Sequence, residues 1–383
     1  MRRPDGTHLY RATALLTGVT LFASACSSST HKPATAADGE EEAEAVVLSP
    51  DAVGRRQHEV FIVKNATVSA LATVGRDIAW TQLEGPEEKR TPGLLERDGS
   101  TGHVRELASD VVPPTGVAAS PSRVVYARTA ANGVELVTLR RSGGTPAVIG
   151  RDVATPIAVR DGRVAWAEQS ADEQRVVVWT LATGSAWTAA RFARCAATTR
   201  CYRIDNVALA DGGVVFNRNA IGTQPSLVVR RRFGAAAPQT HQVPHDPQPD
   251  LAQSSSGAFF YVLGRGWQRW DFGTSTPVAT PLRSVRPWLL GYDNGAMLLQ
   301  TGETCSPRLI VRRPGKRDIV ARPPVEVPRQ ARSGPPGTPC RLMSAYDWND
   351  RHLLVAWTLT TEETIDTHAE AAPVAVVTAI PTR

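Results

Sequence analysis

A repeated hairpin pattern constrains the fold of this chain more than any other feature of its sequence. Each copy has a short pair of small or apolar residues, then Gly, Asp, Asn or Ser, then an apolar run that ends near an aromatic or large aliphatic residue. Seven stretches align without gaps: "LATVGRDIAW" at 71–80, "VAASPSRVVY" at 117–126, "IAVRDGRVAW" at 157–166, "VALADGGVVF" at 207–216, "LAQSSSGAFF" at 251–260, "LLGYDNGAML" at 289–298 and "SAYDWNDRHL" at 344–353. The anchor residues of the copies, from Ala72 to Ala345, lie 38–55 residues apart, with a mean of about 45 over six intervals. A period of this length indicates an array of similar supersecondary units.

The residues between and after these runs indicate the type of unit. Gly and Asn accept positive φ at little cost, so the central residues of each copy favour a tight hairpin. Most copies are followed by a third predicted strand: "VELVTLR" at 134–140, "RVVVWTL" at 175–181, "SLVVRRR" at 226–232, "WQRWDF" at 267–272, "RLIVRR" at 308–313 and "PVAVVTAI" at 373–380. A turn and a weaker outer strand then follow, and apolar inner strands with polar outer strands suit radial stacking around a channel. The pattern predicts an all-β chain that forms a seven-bladed β-propeller, with six or eight blades as the alternatives.

The two ends of the repeat array complete this prediction. The last copy ends at its third strand, "PVAVVTAIPTR" at 373–383, and therefore lacks an outer strand. The segment "HEVFIVKNA" at 58–66 precedes the first copy and has strand character. An unpaired sheet edge is a liability that proteins avoid. We therefore predict a propeller domain over residues 58–383 that is closed by an N-terminal strand.

The copies resemble the repeats of bacterial TolB-like and WD40-like propellers, whose pattern is roughly S-P-D-G-x-x-I-A-F followed by a hairpin. "AASPSRVVYA" at 118–127 and "VRDGRVAWAE" at 159–168 are the closest matches. The resemblance covers about residues 58–383 and implies the propeller fold.

The first 25 residues read as an export signal. Arg2, Arg3 and Arg11 give a positive n-region, and the apolar stretch "ATALLTGVTLF" at 12–22 is too short for a stable membrane span. The next residues, Ala-Ser-Ala-Cys, resemble the lipobox of bacterial lipoproteins, with Ala in place of the usual Leu. The resemblance implies that residues 1–25 are a lipoprotein signal peptide and that Cys26 carries lipid. An ordinary signal peptide and a retained membrane helix are the alternatives.

The segment after this cysteine, residues 26–57, is polar, small and acidic and has no apolar period. Such a segment cannot bury enough surface to offset its ordering entropy, so it predicts a disordered tether. The expected location is the outer face of the cytoplasmic membrane, or the periplasm or outer membrane if the host is Gram-negative. The membrane, through the lipid anchor, is then one predicted partner.

The five cysteines fit this view of an exported protein. If Cys26 is lipidated, four remain, and an even number favours disulfides in an oxidising compartment. The close pair Cys195 and Cys201 predicts one link, and Cys305 with Cys340 then predicts a second. Other connectivities remain open, and a zinc site is a weaker alternative because the spacings lack the paired C-x-x-C form.

Signals of catalysis and of cofactor or nucleic-acid binding are weak. No G-x-S-x-G, H-E-x-x-H or P-loop motif occurs. The best metal-like cluster is "HQVPHD" at 241–246, but its proline excludes a regular helix that would align the two histidines. The net charge is +6, and Arg supplies almost all of the positive charge. No nucleic-acid reader motif accompanies this charge. We therefore predict no cofactor, no metal and no nucleic-acid partner.

The tryptophans offer the best candidates for a binding surface. Most occupy the aromatic position of the repeat, where packing between blades is expected, whereas Trp267, Trp288 and Trp348 lie near predicted loops. The sequence favours a non-enzymatic scaffold that binds an unknown protein or peptide across one propeller face. An envelope glycan hydrolase or lyase with carboxylates at the channel mouth and a carbohydrate-binding module are the alternatives.

Overall fold

The computed structural model describes the chain from residue 57 onward, in segments. These segments are residues 57–85, 91–193, 201–221, 224–243, 251–263, 265–282, 288–303, 305–324, 339–349, 352–361 and 373–382. All of them belong to one compact body, Ala43–Arg383. The predicted signal peptide, Cys26 and all of the predicted tether except Gln57 lie outside the described residues. Within the described segments, no helix has the length and apolar character needed to cross a membrane.

Strands provide nearly all the regular structure of the described segments, and one 3-10 turn lies at Pro113–Thr115. The strands are β1 (His58–Val63), β2 (Ala66–Val74), β3 (Asp77–Glu84), β4 (Thr91–Arg97), β5 (Val104–Ala108), β6 (Val117–Ala119), β7 (Arg123–Ala130), β8 (Gly133–Arg140), β9 (Ala147–Gly150), β10 (Ala158–Arg160), β11 (Arg163–Gln169), β12 (Glu173–Thr180), β13 (Ala186–Ala193), β14 (Cys201–Arg203), β15 (Val207–Ala210), β16 (Gly213–Ile221), β17 (Ser226–Arg232), β18 (Gln239–Val243), β19 (Leu251–Ser254), β20 (Gly257–Val262), β21 (Gly266–Asp271), β22 (Val278–Ala279), β23 (Trp288–Asp293), β24 (Ala296–Glu303), β25 (Ser306–Arg312), β26 (Ile319–Ala321), β27 (Pro339–Trp348), β28 (His352–Thr361) and β29 (Val374–Pro381). The all-β class predicted from the repeats is confirmed.

The strands pair into four-stranded antiparallel meanders, each of which contains one copy of the sequence repeat. In chain order we name them unit 1 (β2–β5), unit 2 (β6–β9), unit 3 (β10–β13), unit 4 (β15–β18), unit 5 (β19–β22), unit 6 (β23–β26) and unit 7 (β27–β29 with β1). A short parallel pairing between β19 and β23 joins units 5 and 6 into one eight-stranded sheet. The additional strand β14 pairs with the far end of β16.

Seven apolar clusters of the described residues lie between successive units, and an eighth, smaller one lies within unit 7. Each of the seven draws residues from two neighbouring units, and the series returns from unit 7 to unit 1. One large buried aromatic marks each junction in turn: Tyr126, Trp166, Phe216, Phe260, Phe259, Trp357 and Trp80. A sheet that is covered on both faces by its neighbours must be apolar on both faces. This arrangement is the closed radial stack of a β-propeller.

The N-terminal strand closes the ring, as predicted. Strand β1 pairs antiparallel with β29, from His58 opposite Ala379 to Val63 opposite Ala375. Phe61 is fully buried, and its ring centroid lies 4.7 Å from that of Trp80 in unit 1. The first strand of the described chain therefore forms the outer edge of the last unit.

The hairpins between the first and second strands of the units all lie at one end of the ring, which we call the hairpin face. Two-residue turns form at least four of them: Gly75–Arg76, Asp161–Gly162, Asp211–Gly212 and Asn294–Gly295. In two of these turns both residues have positive φ, 46° and 68° at Asp161 and Gly162, and 46° and 87° at Asn294 and Gly295. Such turns need Gly with Asn or Asp, which is why these residue types recur in the repeat.

Candidate functional site

Four charged side chains meet at the centre of the hairpin face, and the turns position all of them. Arg160 is the last residue of β10, and Asp161 follows it in the unit 3 turn. Asp211 begins the turn of unit 4, and Asp293 ends the first strand of unit 6. We call this cluster the channel mouth, because it joins the inner hairpins of three units.

Arg160 bridges across the channel mouth. Its Nε donates to Asp211 of the adjacent unit, and its Nη2 lies 2.6 Å from Asp293 Oδ1 in unit 6. Asp161 Oδ2 is farther from the guanidinium, at 3.7 Å. The Arg160 and Asp293 side chains are 17% and 16% exposed, whereas those of Asp211 and Asp161 are 47% and 58% exposed. One guanidinium thus holds two carboxylates, and two of the three carboxylates still face solvent.

Two groups of the channel mouth, Arg160 and Asp161, have shifted pKa values. Burial alone lowers the pKa of Arg160, but its hydrogen bonds to Asp211 and Asp293 outweigh that effect and raise the net pKa. Burial and the hydrogen bond to Asp211 raise the pKa of Asp161, although Arg160 opposes the shift. The surroundings of Asp161 therefore favour its protonated form.

Arginines also connect neighbouring units elsewhere on the hairpin face. Arg141 of unit 2 lies 2.6 Å from Asp77 of unit 1 and also pairs with Glu96. Arg230 and Arg231 of unit 4 donate to backbone carbonyls of units 5 and 3, respectively. Much of the arginine content thus serves contacts between units, which the sequence alone did not indicate.

A half-buried polar cluster joins unit 7 to unit 1 at the hairpin face. The N–H and Oγ1 of Thr73 donate to Asp347 Oδ2 at 2.9 and 2.5 Å. His352 Nε2 lies 3.2 Å from the same hydroxyl and 3.1 Å from Asn349 Nδ2. Burial raises the pKa of Asp347, while the bonds from Thr73 and the charge of His352 act against the rise. This cluster ties the inner strands β2 and β27 together.

The structure separates the three tryptophans that the sequence marked as surface candidates. Trp267 is 1% exposed and packs between units 5 and 6, so the expectation of an exposed position is wrong for this residue. Trp288 begins β23 and is half-buried at the end of the ring opposite the hairpin face. Trp348 ends β27 at the hairpin face, where it packs against Gly291. The three side chains therefore do not form one binding surface.

The other predicted site residues have mixed outcomes. The disulfide between Cys305 and Cys340 is confirmed, with a Cα–Cα distance of 4.4 Å, and it ties unit 6 to unit 7. The second predicted disulfide joins Cys195 and Cys201. Cys195 lies outside the described residues and the side chain of Cys201 is not described, so this link stays a prediction. His241 packs near Phe260 and Trp270, and burial lowers its pKa. Residues 245 and 246 of the metal-like cluster also lie outside the described residues.

Among the described residues, no group of three or more His, Cys, Asp or Glu side chains is arranged to hold a metal ion. The channel mouth fits this finding, since its carboxylates converge on a guanidinium. Its chemistry is that of hydrogen bonding and charge pairing at a partly exposed acidic centre. Sequence reasoning missed these residues, although Asp next to Gly in the inner turns was a usable signal.

Comparison with known proteins bears on the fold. Neither known families nor curated proteins match the sequence. Solved structures do match. A prolyl endopeptidase matches at 13% identity and a TM-score of 0.52, and the match covers 76% of this chain and 45% of the endopeptidase chain. The β-propeller domain of the Trilobed protease from Pyrococcus furiosus matches at 10% identity and a TM-score of 0.49, over 78% and 90% of the two chains. The polysaccharide lyase Uly1 matches at 10% identity and a TM-score of 0.46, over 82% and 90%.

At these identities the likeness concerns the fold alone. The chain spans less than half the length of the prolyl endopeptidase that it resembles. The propeller architecture seen in the sheet topology and in the clusters between units agrees with the match to the prolyl endopeptidase. The chain therefore adopts a β-propeller fold.

Proposed function

We propose that this chain is a non-enzymatic propeller that binds a protein or peptide across its hairpin face. The observation that carries the proposal is the Arg160 bridge, in which one guanidinium contacts both Asp211 and Asp293. The guanidinium already occupies an oxygen of each of these carboxylates, so the arrangement favours hydrogen bonding to a partner over proton transfer to a substrate. The exposed oxygens of Asp161 and Asp211 can still accept hydrogen bonds from a basic side chain or a backbone amide of a partner.

Site-specific photocrosslinking tests which face is used. A photoreactive residue at Ser122, exposed on the hairpin face, should give a discrete adduct in cells that make the protein. The same residue at Asp172, exposed at the opposite end of unit 3, is the matched control and should give none. Asp161→Asn should weaken the adduct from position 122. Equal adducts from both faces, or none from either, would overturn the proposal.

The proposal includes anchoring of the chain to a membrane. Lipid on Cys26, followed by the tether of residues 26–57, would hold the propeller near the outer surface of the cytoplasmic membrane or within a Gram-negative envelope. Two or three acyl chains anchor a protein far more firmly than one. Cys26→Ser should release the protein from the membrane fraction, and mass spectrometry should find acyl mass on the first residue of the mature chain. A wild-type protein that washes off membranes without acyl mass would contradict the anchor.

A glycan hydrolase or lyase is the second candidate, and one observation favours it. The pKa of Asp161 is raised beside two carboxylates held by Arg160, and a carboxyl whose protonated form is favoured by its surroundings can serve as an acid catalyst. If this reading is correct, the wild type should release sugar fragments from envelope polysaccharide, and Asp161→Asn should abolish that release. Activity that survives Asp161→Asn would exclude this residue as the acid.

A further inference from the structure

A second polar site lies on unit 2, away from the channel mouth. It is a cavity of about 220 Å³ lined by Arg123, Thr138, Arg140, Gly143, Gly144, Thr145 and Ala147. One water needs only about 10–15 Å³ of such space, so the cavity can hold a larger group. Thr138 lies on the same face of the sheet as Val125, which it opposes, and as Leu136, two residues before it. Both of these apolar residues pack against unit 3. The cavity therefore opens on the side of unit 2 that faces unit 3, near the hairpin face.

Two arginines stand directly opposite each other at this cavity. Arg123 begins β7 and pairs in register with Arg140, which ends β8. Like charges in such cross-strand pairs destabilise a sheet. In the described part of the chain, neither guanidinium forms an ion pair with a carboxylate.

The equivalent positions of units 3 and 4 do not hold a pair of facing arginines. The first residue of the second strand and the last of the third are Arg163 and Thr180 in unit 3. In unit 4 they are Gly213 and Arg232. The pair of facing cations in unit 2 is thus a departure from the repeat and not a requirement of the fold.

The floor of the cavity holds a buried hydroxyl. Thr138 is 4% exposed, and its Oγ1 has no hydrogen-bond partner within the described chain. A buried hydroxyl without a partner costs free energy. Because Thr138 lines the cavity, a bound group whose acceptor oxygen reaches this hydroxyl would remove that cost.

The turn after β8 adds backbone donors. Gly143 and Gly144 have φ of 95° and 119°, and the N–H of Gly143 donates to the Arg140 carbonyl at 2.9 Å. The N–H groups of Gly144 and Thr145 make no backbone hydrogen bond within the described segments. Turns with successive glycines at positive φ can present amides to anions.

We propose that this cavity is a binding site for a tetrahedral oxyanion of the phosphate class. Arg123 and Arg140 supply the charge and the charge-assisted donors, and the Thr138 hydroxyl and the amides of Gly144 and Thr145 supply neutral donors. Guanidinium groups offer only donors, so the complementary ligand must be an anion with several acceptor oxygens. The site goes beyond the proposed peptide-binding face, and neither depends on the other.

Titration calorimetry of the full chain with inorganic phosphate tests the site. Arg123→Gln and Arg140→Gln should each weaken binding about tenfold or more, because each removes a charge-assisted hydrogen bond. Arg308→Gln is the matched control: Arg308 is exposed, forms no ion pair among the described residues, and its loss should leave the affinity unchanged. A wild type that binds no phosphate at millimolar concentration, or equal losses in all three variants, would overturn the proposal.

Thr138→Val provides an independent readout. The substitution keeps the side-chain shape and removes the hydroxyl, so phosphate binding should weaken about fivefold. Without phosphate, the melting temperature should stay the same or rise, because a buried polar atom without a partner has been removed. A lower melting temperature without phosphate would show that the hydroxyl serves the fold, and would overturn its assignment to the site.

A third experiment distinguishes two sources of the oxyanion. Vesicles of phosphatidylcholine are compared with vesicles that also contain phosphatidic acid, for the wild type and Arg123→Gln. Sedimentation with phosphatidic acid that depends on Arg123 identifies a lipid headgroup as the source and supports the site. Binding of free phosphate alone identifies a soluble ligand and supports it equally.

Discussion

The bridge at the channel mouth allows a prediction with an internal control, because one arginine holds two carboxylates that differ in exposure. Arg160 contacts Asp293, which is 16% exposed, and Asp211, which is 47% exposed. Shielding from solvent should make the first bond stronger than the second. Two double-mutant cycles, in which Arg160→Gln is combined with Asp293→Asn or with Asp211→Asn, measure the two coupling energies separately.

The expected magnitudes follow from burial. A hydrogen bond to a charged group contributes about 1.5–3 kcal/mol, and Asp293 and Arg160 are both well shielded, so we expect a coupling of about 2 kcal/mol. Solvent-exposed ion pairs typically give about 0.2–1 kcal/mol, so the coupling to Asp211 should be about 0.5 kcal/mol. Arg160→Gln alone should then lower the free energy of unfolding by about 2–3 kcal/mol.

Urea denaturation of the wild type, the three single variants and the two double variants supplies both cycles. Circular dichroism at pH 7 and low salt follows the unfolding, and repeating the cycles at high salt adds a second check. Salt should reduce the Asp211 coupling more than the Asp293 coupling, because exposed charges are screened more strongly. The reasoning is refuted if the two couplings are equal or if their order is reversed.

Three further predictions concern contacts that unit 7 makes with its neighbours and with the closing strand. Phe61→Ala should lower the free energy of unfolding by about 3–5 kcal/mol, since it empties a fully buried site in the closing strand; a loss below about 1 kcal/mol in urea denaturation would contradict this. Burial raises the pKa of Asp347 above its unfolded value of 3.8, so this carboxyl stabilises the folded state most below that pH, and its contribution is lost as pH rises through the folded pKa. The stability of the wild type relative to Asp347→Asn should therefore fall between about pH 4 and pH 7, as urea denaturation at both values would show, and a constant difference would count against it. Reduction of the disulfide between Cys305 and Cys340, which spans 35 residues, should cost about 3–4 kcal/mol, and an unchanged melting temperature under reductant would argue against that estimate.

The repeat period and the turn chemistry were sufficient to predict the class of fold. Both are local: an Asp-Gly or Asn-Gly turn such as Asp161–Gly162 fixes a hairpin without reference to the rest of the chain. The closing strand was predictable for a related reason, because an incomplete last repeat leaves an edge that some other segment must cover. His58–Val63 was the strand-like segment before the first copy, and it does pair with β29.

The placement of single side chains was less predictable, and Trp267 shows why. In an ordinary half-buried strand, alternate residues face solvent, so an aromatic next to a polar loop can be exposed. Strand β21 instead lies between two neighbouring units, with Trp267 facing unit 6 and Trp270 facing unit 4. Both faces are buried, and periodicity along the strand carries no information about exposure.

The Arg160 bridge was beyond sequence reasoning for a different reason. Its partner Asp293 lies 133 residues away, in a unit that is not adjacent to unit 3. Contact between them depends on how many units form the ring and on how far each inner strand extends toward its centre. Turn residues could be assigned to one face from sequence, but the pairing of their charges follows only from the closed ring.

Closure of this ring takes place at two radii, and the two contacts differ in kind. At the outer edge, β1 adds a full antiparallel strand to β29 and buries Phe61 against unit 1. At the inner edge, the bonds from Thr73 to Asp347 join the first strands of units 1 and 7. The outer contact is apolar and extended, so it supplies most of the stability. The inner contact is polar and directional. A carboxylate shielded from water is tolerable only when donors such as the Thr73 N–H and hydroxyl meet it, so the contact fixes the register in which the two units approach. The first and last units therefore depend on the outer strand for stability and on the inner pair for their alignment.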